Sequence, residues 1–162
     1  MTKVLVIDSE KCVGCRTCEL VCSGKHEGEF NPRLSRIKVV RGENEWGGFP
    51  MTCLQCESAW CVAACPAKAI SRDETLGRLI IDYDKCIGCR LCAMYCPFGN
   101  ISFDSVKKRV IKCDLCNGDP ECVKVCFYGA LEYRDIREIG ATKQKEYMEK
   151  IAGTNRWSPQ KK

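Results

Sequence analysis

One histidine in 162 residues, three tryptophans and no apolar run long enough for a membrane leave this chain short of most familiar chemistry. A bilayer span needs about 20 consecutive apolar residues. Nothing here approaches that length, so no direct membrane insertion is expected. The stretch Val4 to Ile7 is far shorter than a secretory core and runs at once into Asp8 and Glu10, so the chain is expected to be cytoplasmic. There is no GxGxxG fingerprint, no GKS or GKT phosphate loop and no GxSxG elbow, and a lone His26 cannot furnish the usual acid–base machinery. The polypeptide therefore looks non-catalytic by itself.

Cysteine is what the chain has instead. Sixteen of them, with only 45% apolar residues in total, mean that hydrocarbon burial cannot be the sole source of stability and that cross-links must contribute. All sixteen fall into four runs: Cys12, Cys15, Cys18, Cys22; Cys53, Cys56, Cys61, Cys65; Cys86, Cys89, Cys92, Cys96; and Cys113, Cys116, Cys122, Cys126. The first and third have CxxCxxCxxxC spacing, and the second and fourth lengthen the middle gap through residues 57–60 and 117–121. Three closely spaced thiolates can each reach a different iron of one cubane, while a fourth beyond a short helix reaches a neighbouring cluster. Zinc sites use two pairs that converge across a longer loop and have no role for a displaced fourth cysteine. A disulfide framework suits an oxidising compartment, for which no signal is visible. The repeat thus points to four [4Fe-4S] clusters, with a zinc-binding structural module as the reading from another class.

Cys65-Pro66 and Cys96-Pro97 carry the Cys-Pro ending of a two-cluster ferredoxin, so motifs two and three pair with each other. Between them, 69–72 and 78–83 flank the turn signal 73–77 and read as a β-hairpin. Motifs one and four, ending in Cys22-Ser23 and Cys126-Phe127, then pair around the outside. On this reading the ligand sets are Cys12, Cys15, Cys18 with Cys126; Cys113, Cys116, Cys122 with Cys22; Cys53, Cys56, Cys61 with Cys96; and Cys86, Cys89, Cys92 with Cys65. A sequential pairing, one with two and three with four, is the rival, disfavoured because 23–52 reads as a long polar insert rather than a hairpin.

The expected fold is α+β, with two ferredoxin-like units, motifs two and three nested inside one and four, and a C-terminal helix and tail. The outer unit is assigned to 1–22 and 101–134, the insert to 23–52, the inner unit to 53–100 and the helix and tail to 135–162. The outer unit is expected to close by antiparallel pairing of the strand at 4–8 with 130–133. A short helix is expected at 142–152, with Tyr147, Met148 and Ile151 on one face and Trp157 in the tail beyond.

Formal charge is +5, which by itself would suggest an acidic partner. Four oxidised clusters with their thiolates contribute about −2 each, which leaves the loaded chain at about −3 and removes the argument for nucleic acid. Lys107, Lys108 and Arg109 lack interleaved aromatics and read as a solvated turn. Lys11, Lys85 and Lys112 each precede the first cysteine of a motif and either favour cluster reduction or only solubilise turns. Gly14 and Gly88 permit the tight backbone around a cubane. His26 is expected to be polar or exposed rather than an iron ligand. Residues 44–50, with Trp46 and Phe49, read as a surface loop.

The stretches Lys11-Cys12-Val13-Gly14-Cys15-Arg16-Thr17-Cys18-Glu19, Cys53-Leu54-Gln55-Cys56 with Ala64-Cys65-Pro66, Asp84-Lys85-Cys86-Ile87-Gly88-Cys89-Arg90 and Lys112-Cys113-Asp114-Leu115-Cys116 resemble the four-cluster, ferredoxin-like electron-transfer subunits of molybdenum and tungsten pterin oxidoreductases. The resemblance covers residues 4 to about 134 and is specific for the scaffold, not for a substrate. Many respiratory members have longer insertions and a C-terminal membrane anchor, which this sequence lacks, so it is most similar to the small subunit of a soluble tungsten-dependent aldehyde oxidoreductase. The resemblance implies a relay of electrons from a large pterin-metal catalytic subunit to another redox partner, such as a flavin- or NAD-binding subunit or a soluble ferredoxin. A free polyferredoxin and a formate dehydrogenase or hydrogenase relay subunit are the alternatives. The sequence leaves open the substrate, the partner's metal, the direction of electron flow and assembly into longer relays.

Overall fold

A chain interrupted every few residues by cysteine and glycine cannot build long elements, and the computed structural model, which describes residues 3–41, 47–141, 144 and 148, contains few. Among the described residues, eight short strands form four separate two-stranded antiparallel sheets. Four helices carry cysteines: α1 (Thr17–Glu27), α2 (Trp60–Ala63), α3 (Leu91–Met94) and α4 (Glu121–Lys124). The architecture is mixed α+β.

The first sheet joins the two ends of the cysteine region. β1 (Lys3–Ile7) pairs with β8 (Leu131–Asp135), with Val4 opposite Arg134 and Ile7 opposite Leu131. The ladder continues to Asp8, whose N–H donates to Ala130 O at 2.9 Å. The expected pairing of these segments is present. β4 (Ile70–Arg72) and β5 (Leu79–Ile81) form the expected hairpin, and Asp73 closes its turn by accepting from the Gly77 N–H at 2.8 Å. β6 (Ser102–Asp104) and β7 (Arg109–Ile111) form a further hairpin.

The stretch expected to be a hairpin-free insert is different. β2 (Ile37–Val40) and β3 (Phe49–Thr52) pair across it, with Ile37 opposite Thr52 and Val40 opposite Phe49. Alternation explains this: Ile37 and Val39 point inward at 2% and 9% exposure, whereas Val40 is outside. The polar character that suggested a loop belongs to the segment before the hairpin and to the solvent face of its strands. Of the residues read as a surface loop, Phe49 and Pro50 lie in β3, while Trp46 falls outside the described residues.

Two small cores result. One packs Ile37, Val39 and Leu131 with Cys18, Cys22 and Cys122, flanked by Leu5, Ile7, Cys12 and Cys126. The other packs Ile70, Leu79, Ile101 and Val110 with Cys61 and Cys92, flanked by Cys65, Cys86 and Cys96. Helix α1 packs on α4, and α2 packs on α3. Cysteine sulfur therefore occupies core positions that aliphatic side chains take elsewhere.

Residues 136–141 are helical and continue from β8, and the exposed Met148 is helical too, but Tyr147, Ile151 and Trp157 lie outside the described residues. No helix among the described residues is long and apolar enough to cross a membrane.

Gly88 has φ +69°, and a Cβ there would lie 2.3 Å from the carbonyl oxygen of Lys108. Left-handed backbone costs a non-glycine residue about 1–3 kcal/mol, and the clash with a strand-turn backbone adds to it. Gly88→Ala is therefore expected to lower the thermal denaturation midpoint of anaerobically prepared protein; an unchanged midpoint would refute this account of the loop.

Candidate functional site

In each motif the third cysteine is the second residue of a helix: Cys18 in α1, Cys61 in α2, Cys92 in α3 and Cys122 in α4. The fourth cysteine follows four residues later: Cys22 is still within α1, whereas Cys65, Cys96 and Cys126 lie just beyond the ends of α2, α3 and α4. Before each helix the chain loops through left-handed backbone. Gly14 and Arg16 do this in motif one, Gly88 and Arg90 in motif three, Gln55 in motif two and residues 115–118 in motif four. Such loops turn successive N–H groups and side chains toward a common centre.

The cysteines collect accordingly. One cavity is lined by Cys12, Cys15, Cys18 and Cys126, a second by Cys53, Cys56, Cys61 and Cys96, and a third by Cys65, Cys86, Cys89 and Cys92. Their volumes, counting the open mouths, are ≈ 340, ≈ 370 and ≈ 310 Å³, near enough to one another for three copies of one ligand. The remaining four are linked through charge: burial first pushes the Cys122 thiol up, and Cys113, Cys22, Cys116 and then Cys18 of the first group add to it.

The electrostatics of these groups call for a cationic centre. Burial pushes the Cys18 thiol up to about 12 and Cys92 and Cys113 up to about 11, and neighbouring cysteines add to the effect at each. Thiolates cannot crowd together in a dry interior unless metal ions neutralise them. Hydrogen bonds already point at the sulfurs. Backbone N–H groups donate to Cys22 Sγ from Arg36 (3.3 Å), to Cys65 Sγ from Ala69 (3.2 Å) and to Cys113 Sγ from Leu115 (3.4 Å). The Thr17 hydroxyl donates to Cys15 Sγ at 3.5 Å, which lowers that thiol's pKa. Polar donors aimed at sulfur are a means by which a protein sets cluster potential. Four-sulfur groups of this kind fit [4Fe-4S] clusters.

His26 is neither exposed nor set apart. Its Nε2 lies 3.4 Å from Cys116 Sγ and 3.4 Å from Asp114 Oδ1, so it has the polar place beside a cysteine group that was one of its two expected roles. The basic run at 107–109 is less solvated than its composition suggests. Lys107 and Arg109 pair with the fully buried Glu27 carboxylate at 2.6 and 2.8 Å, and Arg109 also stacks on Tyr83. Arg36 reaches the same carboxylate at 3.4 Å.

The three lysines that precede motifs have different surroundings. Lys11 pairs with Asp8 at 3.1 Å and Lys85 with Asp82 at 2.7 Å, both with more than half of the side chain exposed. Lys112 is 3% exposed and touches Cys53 Sγ at 3.7 Å. Sequence reasoning missed Gln55, whose amide donates to Cys113 O at 2.9 Å and accepts from the Leu79 N–H at 2.7 Å. It also missed Glu19, 1% exposed, which accepts from the Val39 N–H at 2.6 Å and from Arg16 Nε at 2.9 Å. A long polar side chain inside or beside a cysteine motif was the available signal for both.

Comparison with known proteins agrees with this chemistry. Residues 44–136 match a 4Fe-4S dicluster domain family, and residues 10–74 match a second model with the same description. The polyferredoxin-like subunit of an aliphatic sulfonate oxidoreductase from Pyrococcus furiosus is 42% identical over 125 residues, which cover 75% of this chain and 70% of that one. The electron transport protein HydN of Escherichia coli is 32% identical, across 90% of this chain and 97% of its own length. The beta subunit of the NADH-dependent phenylglyoxylate dehydrogenase of Aromatoleum evansii is 36% identical, across 80% of this chain but only 29% of that larger protein. With the cysteine scaffold, the family match and relatives of this kind, the chain belongs to the 4Fe-4S dicluster, ferredoxin-like electron-transfer proteins and has an electron-transfer rather than a catalytic role.

Proposed function

We propose that the chain holds four [4Fe-4S] clusters in the nested arrangement and relays electrons between a pterin-metal catalytic subunit and a second redox partner. The observation that carries the reading is the grouping of cysteines in the cavities, where Cys126 joins motif one and Cys96 joins motif two. A sequential pairing would put Cys65 with the first and Cys22 with the second. Pairing of β1 with β8 supports the same nesting, because it brings the two outer motifs together. The proposed division is an outer unit from 1–22 and 101–134 around an inner unit at 53–100, with the β2–β3 hairpin adding to the outer core and with Ile101 and Val110, from the outer unit's second segment, packing into the inner core.

Such a cluster, with four thiolate ligands and no open iron, supplies one-electron exchange. What the chain does is bury sulfur, aim N–H groups at it and leave two places open. Among the sixteen cysteines only Cys15 and Cys89 are exposed. They belong to different ligand sets, and each lies beside an exposed apolar residue, Val13 at 47% and Ile87 at 69%. Tyr128, at 56%, widens the apolar rim around the first. These two faces are the entry and exit of the relay, and apolar rims suit docking of protein partners. The likeness to a subunit of an aliphatic sulfonate oxidoreductase favours a large oxidoreductase subunit as one partner, with the tungsten aldehyde oxidoreductase type as the specific proposal. A flavin- or NAD-binding subunit, or a soluble ferredoxin, takes the other face.

A free polyferredoxin is the second reading, since that relative is itself called polyferredoxin-like. Anaerobic purification at native expression separates the two: co-elution with a large pterin-containing subunit is expected, and a monomer of 18.3 kDa alone overturns the subunit reading.

Iron and acid-labile sulfide are each expected at about sixteen per chain. Pairing is tested by double substitution. Cys12→Ala with Cys126→Ala should remove a single cluster, leaving about twelve iron atoms, whereas Cys12→Ala with Cys65→Ala should remove two and leave about eight. The reverse result would establish the sequential arrangement.

A further inference from the structure

We propose that Lys112 is the buried counter-ion of the centre held by Cys53, Cys56, Cys61 and Cys96, raising its potential while pinning the outer unit to the inner one. The proposal rests on the four-cluster reading above. Two cations are buried among the described residues, Arg36 and Lys112. Arg36 has the Glu27 carboxylate at 3.4 Å. Among the described residues Lys112 has no carboxylate within ion-pair distance, and its ammonium donates to Leu79 O at 2.6 Å, to Cys113 O at 2.8 Å and to Cys53 Sγ at 3.7 Å. Asp114 lines the same cavity but forms no ion pair with it.

A buried ammonium without an opposite charge is strongly unfavourable and loses its proton or is not tolerated. Carbonyl oxygens satisfy two of the donors but leave the charge unbalanced. The sulfur is the group that can balance it, as a thiolate within an anionic centre. A fixed cation in a dry site favours the more negative, reduced state of the centre beside it and so raises its midpoint potential. Its partners also span the seam, since Leu79 and Cys53 belong to the inner unit and Cys113 to the outer. Lys11 and Lys85, exposed and already paired with aspartates, have neither property.

The test is a redox titration of anaerobic holoprotein followed by electron paramagnetic resonance, with iron content measured in every sample. Lys112→Gln keeps a donor for the carbonyls and removes the charge, while Lys112→Arg keeps both. One centre of Lys112→Gln is expected to titrate at a lower potential than in the unmodified protein, with iron content intact. Lys112→Arg is expected to return that centre toward its original value. The shift should persist at about 1 M salt, because buried charges escape screening. Equal potentials in all three proteins, with four centres present in each, would overturn the proposal alone. Fewer than four centres in the unmodified protein would overturn the cluster reading and the proposal with it. Should Lys112→Gln lose iron, Lys112→Arg decides: retained iron at the original potential supports the counter-ion, and equal loss of iron in both overturns it in favour of a purely steric role.

Discussion

Crowding of buried sulfur is the constraint on which this protein depends. Thiols such as Cys18 and Cys113 lie deep enough, and close enough to other cysteines, that their ionised forms are heavily penalised without a cation. A chain of 162 residues with four two-stranded sheets has little other means of holding itself together. In small metalloproteins whose ligands converge only in the folded state, metal binding and folding are coupled. In the cores, Cys18, Cys22 and Cys122 fill one beside Ile37 and Leu131, and Cys61 and Cys92 fill the other.

Regular structure serves mainly to place those sulfurs. Short helices carry the third cysteine of each motif and lead the chain to the fourth, and left-handed loops precede them between the first cysteines. The hairpins act as ties. β1 and β8 hold the ends of the outer unit together, and β2 and β3 place Ile37 and Val39 against it. None of these sheets has enough strands to be stable by itself.

Where the two cores meet, polar chemistry takes over from packing. Gln55 bridges Leu79 and Cys113, Arg78 donates to Asp114 O at 2.8 Å, Asn100 donates to Thr52 O at 2.6 Å, and Glu27 gathers Arg36, Lys107 and Arg109. Directional bonds of this kind set the relative position of the two sulfur arrays more tightly than apolar contact would, which suits a relay whose rate depends on spacing. Lys112 belongs to the same seam and differs from Arg36 and Arg78 in having sulfur where they have carboxylate.

Cysteine spacing by itself determined the cofactor class, the four-fold repeat and the hairpin between motifs two and three, because ligand geometry and turn chemistry are local and survive in one dimension. The β1–β8 pairing was also legible, from two short strand-like segments at the limits of the cysteine region. Other features required the folded chain. Residues 23–52 read as a polar insert without a hairpin because a four-residue strand with one buried face carries too little periodic signal beside polar flanks. Lys11, Lys85 and Lys112 are indistinguishable in sequence, each standing before a cysteine. Only tertiary packing, which brings Leu79 and Cys53 over one of them and leaves the others beside aspartates in water, makes Lys112 a buried charge. Burial and counter-charge are properties of neighbours distant in the chain, and no local pattern records them.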